Sequence, residues 1–143
     1  MGKYLFYADQ LIFILVTYIS VKEEIYATWA YREYAPANTI QSKLFHRWGA
    51  ANIFIFMIVC AMAFSTSIIN AIILSAINGF IYWLLFDIWY AKGIKQKWYY
   101  LGGESSSDNW LKKYLGKNAG KNKAYLCILI IVLLNLFFVI FKN

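Results

Sequence analysis

IINAIILSAINGFIYWLLFDIWYA, residues 68–91, is the longest nearly uncharged stretch of the chain, with Asp87 as its one charged residue. Crossing a hydrocarbon core about 30 Å thick takes roughly 17–25 helical residues, and this stretch is long enough. It contains no proline and does not alternate apolar with polar residues, as a barrel strand must. We therefore expect a membrane-spanning helix here.

Three further apolar stretches have a similar character. They lie at residues 4–21, 48–64 and 124–141. Together with residues 68–91 they predict an all-α integral membrane protein with four transmembrane helices in one domain, residues 1–143. A cleavable signal peptide is the alternative for the first stretch, but Asp9 interrupts its apolar core and charged residues, not small ones, follow Val21.

The composition agrees with this class of protein. Hydrophobic residues make up 62% of the chain and charged residues 15%, whereas soluble domains contain about 45–50% and 25%. Both cysteines, Cys60 and Cys127, lie in apolar stretches without the spacing of a metal knuckle. This excludes a disulfide framework and a zinc knuckle.

The positive charges predict the orientation. Twelve of the 14 Lys and Arg residues lie in the loops 22–47 and 92–123, and the others are Lys3 and Lys142 near the termini. The positive-inside rule therefore places both loops in the cytoplasm and both termini on the non-cytoplasmic side. The sequence does not determine the kind of membrane, and the alternatives are a cell inner or plasma membrane and a viral or organelle membrane. The net charge of +7 suits anionic lipids better than nucleic acid.

The first cytoplasmic loop begins with a helical pattern over residues 22–34. Ile25, Thr28 and Trp29 share a face, which predicts either a continuation of the first helix or an amphipathic helix on the membrane surface. Pro36 is expected to end this helix. Arg47 and Trp48 are placed as interface anchors at the start of the second span.

The second cytoplasmic loop combines lysines with aromatic residues, a pattern typical of the lipid head-group region. Residues 109–115 predict a short amphipathic helix lying on the membrane, with Gly116 just after its end. The residues expected to contact head groups here are Lys95, Lys97, Trp98, Tyr99, Trp110, Lys112 and Lys113. Anionic lipids at the cytoplasmic face are the predicted partners.

Small residues follow one face of the third span at intervals of four. They are Ser67, Ala71, Ser75 and Gly79. Such a face lets another helix approach closely in lipid. Packing against the second span is the first interpretation, and an oligomer contact or a polar path is the second.

Five of the polar residues within the apolar stretches are candidates for contacts inside the membrane. They are Asp9, Asn70, Asn78, Asp87 and Asn135. We expect Asp87 to pair with Arg47 or Lys92, and Asp9 to lie near the opposite surface, within reach of Lys3 or Lys142. Asn135 is expected to bond a neighbouring helix.

The sequence contains no catalytic or cofactor-binding motif, and His46 is its only histidine. We therefore expect no metal, no cofactor and no enzymatic activity. The leading hypothesis is a non-enzymatic accessory or structural subunit that binds other membrane subunits or copies of itself. A virus-encoded membrane protein is one example of this class. The alternatives are an oligomeric pore or small transporter, lined by the polar residues of the third span, and a protein or enzyme that binds lipid head groups.

Overall fold

The computed structural model describes residues 3–34, 40–101 and 106–141, and in those ranges the chain forms helices and no strand. The elements are α1 (Lys3–Tyr34), α2 (Ile40–Ala63), α3 (Ile68–Gly93), α4 (Ser106–Leu115), a 3-10 turn (Gly116–Asn118) and α5 (Ala119–Phe141). The expectation for Pro36 lies outside the described residues, as do the side chains of Arg47 and Trp48.

Three helices are long and apolar enough to cross a membrane. The apolar segments are Leu5–Trp29, Ile68–Gly93 and a stretch within Asn109–Ile140, while the described part of α2 contributes a shorter one, Gly49–Ala63. The all-helical class is therefore confirmed, and the composition is that of a membrane protein. By length and composition, three membrane-spanning helices are supported.

The first helix is longer than predicted. The sequence predicts a span over residues 4–21, but α1 continues without a break to Tyr34. Thr28 and Tyr90 of α3 form a hydrogen bond of 3.1 Å, and Ile25 lies so close to Gly93 that a β-carbon there would collide with it. Ile25 and Thr28 of the predicted face therefore pack on the end of α3. Of the two alternatives, the structure shows the continuation of the first helix.

The helix that contains the second predicted span, α2, begins before it, at Ile40, while its apolar segment is Gly49–Ala63. A four-residue turn, 64–67, joins it to α3 and makes the two helices antiparallel. The Ser67 hydroxyl accepts the backbone N–H of Asn70 over 3.2 Å, which caps the start of α3. Ser67 therefore serves as a cap.

The end of α3 is closed by Lys95, whose φ of 58° is in the left-handed region. The Gln96 N–H donates to the Ala91 carbonyl over 2.8 Å, and the Lys95 N–H donates to the Lys92 carbonyl over 3.2 Å. These two bonds form a Schellman motif, in which glycine usually occupies the left-handed position. The motif turns the chain sharply out of the helix and toward α5.

α3 lies at the centre of the bundle and packs against α1, α2 and α5. α1 runs parallel to α3, since Asp9 meets Asn78 and Thr28 meets Tyr90. α5 runs antiparallel to both. The buried core includes a stacked pair of rings, Phe6 and Phe138, with centroids 3.7 Å apart. The other members of this cluster are Ala61, Leu74, Ile77 and Ile81.

Candidate functional site

A carboxyl–amide pair joins α1 to α3 deep in the bundle. Asn78 Nδ2 donates to Asp9 Oδ2 over 2.6 Å, and both side chains are fully buried. Asn78 is ten residues beyond Ile68, or about 15 Å along the helix axis. A helix that enters a hydrocarbon core about 30 Å thick at Ile68 would carry the pair near the middle of that core.

Asp9 is therefore buried inside the bundle and bonds Asn78, whereas the sequence predicts a position near the surface. The side chains of Lys3 and Lys142, its expected partners, lie outside the described residues. Counting from the start of α1 places Asp9 in the second helical turn. However, α1 is shifted along its axis relative to α3, so that its first turn lies level with the second turn of α3. The shift moves Asp9 from the expected surface position to the interior.

A second polar contact joins α1 to α5 one residue further along α1. Gln10 Nε2 donates to Asn135 Oδ1 over 2.9 Å, and Asn135 Nδ2 donates to the Ile131 carbonyl over 2.8 Å. Asn135 therefore bonds both a neighbouring helix and its own. Asp9, Gln10, Asn78 and Asn135 thus form a layer of polar side chains across the bundle. We call it the polar layer.

A buried ion pair joins α3 to α5 nearer the other end of the bundle. Lys123 Nζ donates to Asp87 Oδ2, and the Lys123 side chain is only 4% exposed. The same ammonium group lies 4.2 Å from the centroid of the Trp83 ring. Lys123 is thus a partner of Asp87 that we did not expect from the sequence, and Lys92, one of the two expected partners, is exposed. The side chain of Arg47, the other expected partner, lies outside the described residues.

By its position in the sequence, Lys123 belongs with the loop lysines, and its pairing with Asp87 was not predicted. A signal was present: Lys123 directly precedes the apolar stretch 124–141, and Asp87 lies one turn from the same end of the third stretch. Two opposite charges at matching depths on antiparallel helices can meet if those helices are neighbours. The sequence of the loop 92–123 does not show whether the two helices that it connects are neighbours.

The small residues of α3 do not all face one partner. Ala71 is partly buried, and a β-carbon at Gly79 would lie 3.5 Å from the Met57 sulfur of α2. Ser75 and Gly79 line an apolar groove of about 590 Å³ between α2 and α3. We call it the α2/α3 groove; its other lining residues are Ala50, Ile53, Phe54, Met57, Ala76, Phe80, Tyr82 and Trp83.

The residues suggested for a polar path in the third span have separate surroundings. Asn78 is enclosed by its contact with Asp9, and the Tyr82 ring packs edge-on to Phe13 with centroids 6.4 Å apart. Asn70 lies in the first turn of α3, partly exposed, and Asp87 bonds Lys123. α1 therefore covers the middle of this polar stripe.

A basic cleft of about 660 Å³ lies where the segment 96–101 meets the start of α5. Lys97 and Lys112, both predicted head-group residues, line it together with Lys117. Tyr99 is held between two cations, since the Lys97 and Lys121 ammonium groups lie 5.9 and 4.8 Å from its ring centroid. We call this the basic cleft.

The other predicted head-group residues of this loop do not line the basic cleft. Trp98 and Trp110 are 44% and 59% exposed, and Lys113 lies 5.7 Å from the Tyr114 ring centroid. Lys95 closes α3 through its left-handed backbone. Gly116 has a φ of 70°, as expected for the residue after the end of α4.

A metal site would need several acidic, His or Cys side chains in one place. The described part of the chain contains no group of three such residues that could hold a metal ion. Cys60 and Cys127 are both free and buried there.

No protein-family model, no curated protein and no solved structure matches this chain. Inferences about its function therefore depend on the polar layer, the α2/α3 groove and the basic cleft.

Proposed function

We propose that the chain is a four-span membrane protein, with α2 as the additional transmembrane helix. α2 has 24 residues, or about 36 Å along its axis, enough to cross a core of about 30 Å. It also packs antiparallel against α3 through a four-residue turn. With twelve cationic residues in the loops 22–47 and 92–123, both termini lie on the non-cytoplasmic side.

Within the membrane the protein acts as a non-enzymatic accessory subunit that binds a transmembrane helix of another subunit or a second copy of itself. The α2/α3 groove is the observation that carries this proposal. Ser75, Ala76 and Gly79 form a floor with little side-chain bulk, and large apolar residues such as Phe54 and Phe80 form the walls. A helix can approach such a floor closely, and close approach is what stabilises helix pairs in lipid.

A photo-reactive amino acid at position 76 tests this proposal in the native membrane. The matched control carries the same amino acid at position 133, because Leu133 on α5 is exposed and does not line the groove. We expect a discrete cross-linked product from position 76 only, and we expect Ser75→Leu to abolish it by filling the groove. The mass of the product distinguishes a second copy from a different subunit.

The same cross-linked products from both positions would contradict the proposal, because they would reflect random collisions in the membrane. The absence of any product at position 76 would contradict it as well.

The basic cleft favours a second function, the binding of anionic lipid head groups. Three lysines line it, and it lies at the ends of α3 and α5, where apolar helix gives way to polar chain. Lysines in this position attract the anionic lipids of the cytoplasmic leaflet.

Lipid binding can be measured with the purified protein in nanodiscs of neutral lipid containing a labelled anionic lipid. We expect Lys97→Gln combined with Lys117→Gln to weaken the binding severalfold. The control pair, Lys22→Gln with Lys92→Gln, removes the same amount of charge outside the cleft. It should leave the binding of the labelled lipid unchanged. Equal losses in both pairs would show that only net charge matters and would refute a defined cleft.

A further inference from the structure

The polar layer contains two oxygen atoms that have no hydrogen-bond donor. These are Asp9 Oδ1 and Asn78 Oδ1, both fully buried, and neither has a hydrogen-bond partner in the described part of the chain. Their residues already share one bond, from Asn78 Nδ2 to Asp9 Oδ2. The pair therefore has an excess of acceptors and lacks one hydrogen.

Among the described side chains, Asp9 has one hydrogen-bond partner, the neutral amide of Asn78, and no cation is paired with it. The nearby buried positions on α1 and α3 are apolar: Phe6, Phe13, Leu74, Ile77 and Ile81. The titratable side chains that α2 and α3 place in this part of the bundle are the buried Cys60 and Tyr82, which packs against Phe13. From α5, the layer receives the amide of Asn135. An ionised carboxyl group in such surroundings would be strongly disfavoured.

Asp87 provides the contrast on the same helix. It lies nine residues after Asn78, or about 13 Å along α3, and its carboxylate bonds the Lys123 ammonium group. A carboxylate paired with a buried cation retains its charge. The two intramembrane aspartates thus have opposite surroundings, one with a cation and one with an amide.

We propose that Asp9 is a proton-binding site in the membrane interior, with Asn78 as the residue that positions it. One proton taken from water converts the carboxylate to a neutral carboxylic acid and supplies the missing hydrogen. Asn78 can then donate through its N–H and accept through its carbonyl oxygen, so an amide suits a carboxylic acid better than a carboxylate. This inference is independent of the α2/α3 groove and of the basic cleft.

Infrared spectroscopy of the protein in nanodiscs tests the protonation state directly, because a carboxylic acid and a carboxylate absorb at different frequencies. At pH 7, where exposed aspartate is ionised, we expect one carboxylic-acid band. It should be absent from Asp9→Asn and present in Asp87→Asn, the control that removes the other intramembrane aspartate. Asp9→Asn replaces the acidic O–H with an N–H donor, so we expect the fold to be retained.

Isotope labelling provides a second measurement on the unaltered protein. Aspartate labelled with ¹³C in its carboxyl group should shift the carboxylic-acid band, whereas labelled glutamate should not. Wild-type protein without a carboxylic-acid band at pH 7 would overturn the proposal. So would a carboxylate band from Asp9 that changes with added Na⁺ or K⁺, because the pair would then bind a metal cation in place of a proton.

Discussion

Lys123 and Asp9 show how single buried polar groups are stabilised in this apolar bundle. Lys123 lies between the Asp87 carboxylate and the face of the Trp83 ring, so its charge contacts an anion and a π system. Asp9 instead bonds an amide. The sequence shows that Asp9 and Asp87 are unusual, because each lies in an apolar stretch. It does not show which partner each aspartate has.

Replacing Lys123 with Met should destabilise the protein by about 1–3 kcal/mol, because the carboxylate of Asp87, whose side chain is 29% exposed, loses the Lys123 ammonium group. Met retains a flexible apolar chain that can pack on Trp83, so the loss reflects charge more than volume. The control is Lys121→Met, whose ammonium group lies over Tyr99 near the basic cleft and whose removal should cost less than about 1 kcal/mol. Unfolding in mixed detergent micelles measures both, and equal losses would contradict a specific role for the ion pair.

At the scale of elements, close backbone approaches explain how the helices are held in register. A β-carbon at Gly93 would collide with Ile25 of α1, and one at Gly120 would collide with the carbonyl oxygen of Tyr99. Gly93 therefore sets the contact between α1 and α3, and Gly120 sets the contact between the segment 96–101 and α5. The sequence predicts neither contact, because a glycine in a helical stretch does not indicate which backbone approaches it.

Gly120→Ala should destabilise the protein by about 1–3 kcal/mol, because a backbone carbonyl cannot move away as a side-chain end can. The matched control is Gly49→Ala in α2, where the added methyl group meets no atom within 4 Å. There the higher helix propensity of alanine should stabilise the protein by about 0.5–1 kcal/mol. Opposite signs in a micelle unfolding assay are the expected result, and a stabilised Gly120→Ala variant would contradict the close approach to Tyr99.

For the whole molecule, the central position of α3 explains why its sequence contains so many polar and small residues. It contacts three helices: Asn78 and Tyr90 bond α1, Asp87 bonds α5, and small residues such as Gly79 face α2. α1 and α5 expose large apolar side chains such as Leu11, Leu15 and Leu133. Such a surface suits lipid, in which apolar exposure carries no penalty.

The proposed orientation predicts which sites a membrane-impermeant maleimide reaches in intact cells. In a background with both native cysteines replaced by alanine, Thr66→Cys in the α2–α3 turn should be labelled directly. Asn118→Cys, in the 3-10 turn before α5, should be labelled only after the cells are permeabilised. Both positions are exposed, so accessibility within the protein does not limit the reaction. The reverse pattern would place the lysine-rich loops outside the cytoplasm and contradict the four-span topology.

Local composition was sufficient to predict the helical class, the apolar segments and the segregation of lysines, because each depends on neighbours along the chain. Gly116 after α4 belongs to the same category, since its φ of 70° serves a local turn. The pairing of Asp9 with Asn78 and of Lys123 with Asp87 depends on which helices are neighbours and how far each is shifted along its axis. Packing between distant segments sets those shifts, through contacts such as Phe6 with Phe138 and Ile25 with Gly93. A shift of a few residues moves a side chain between the membrane surface and the interior, which is why the depth of Asp9 emerged only from the assembled bundle.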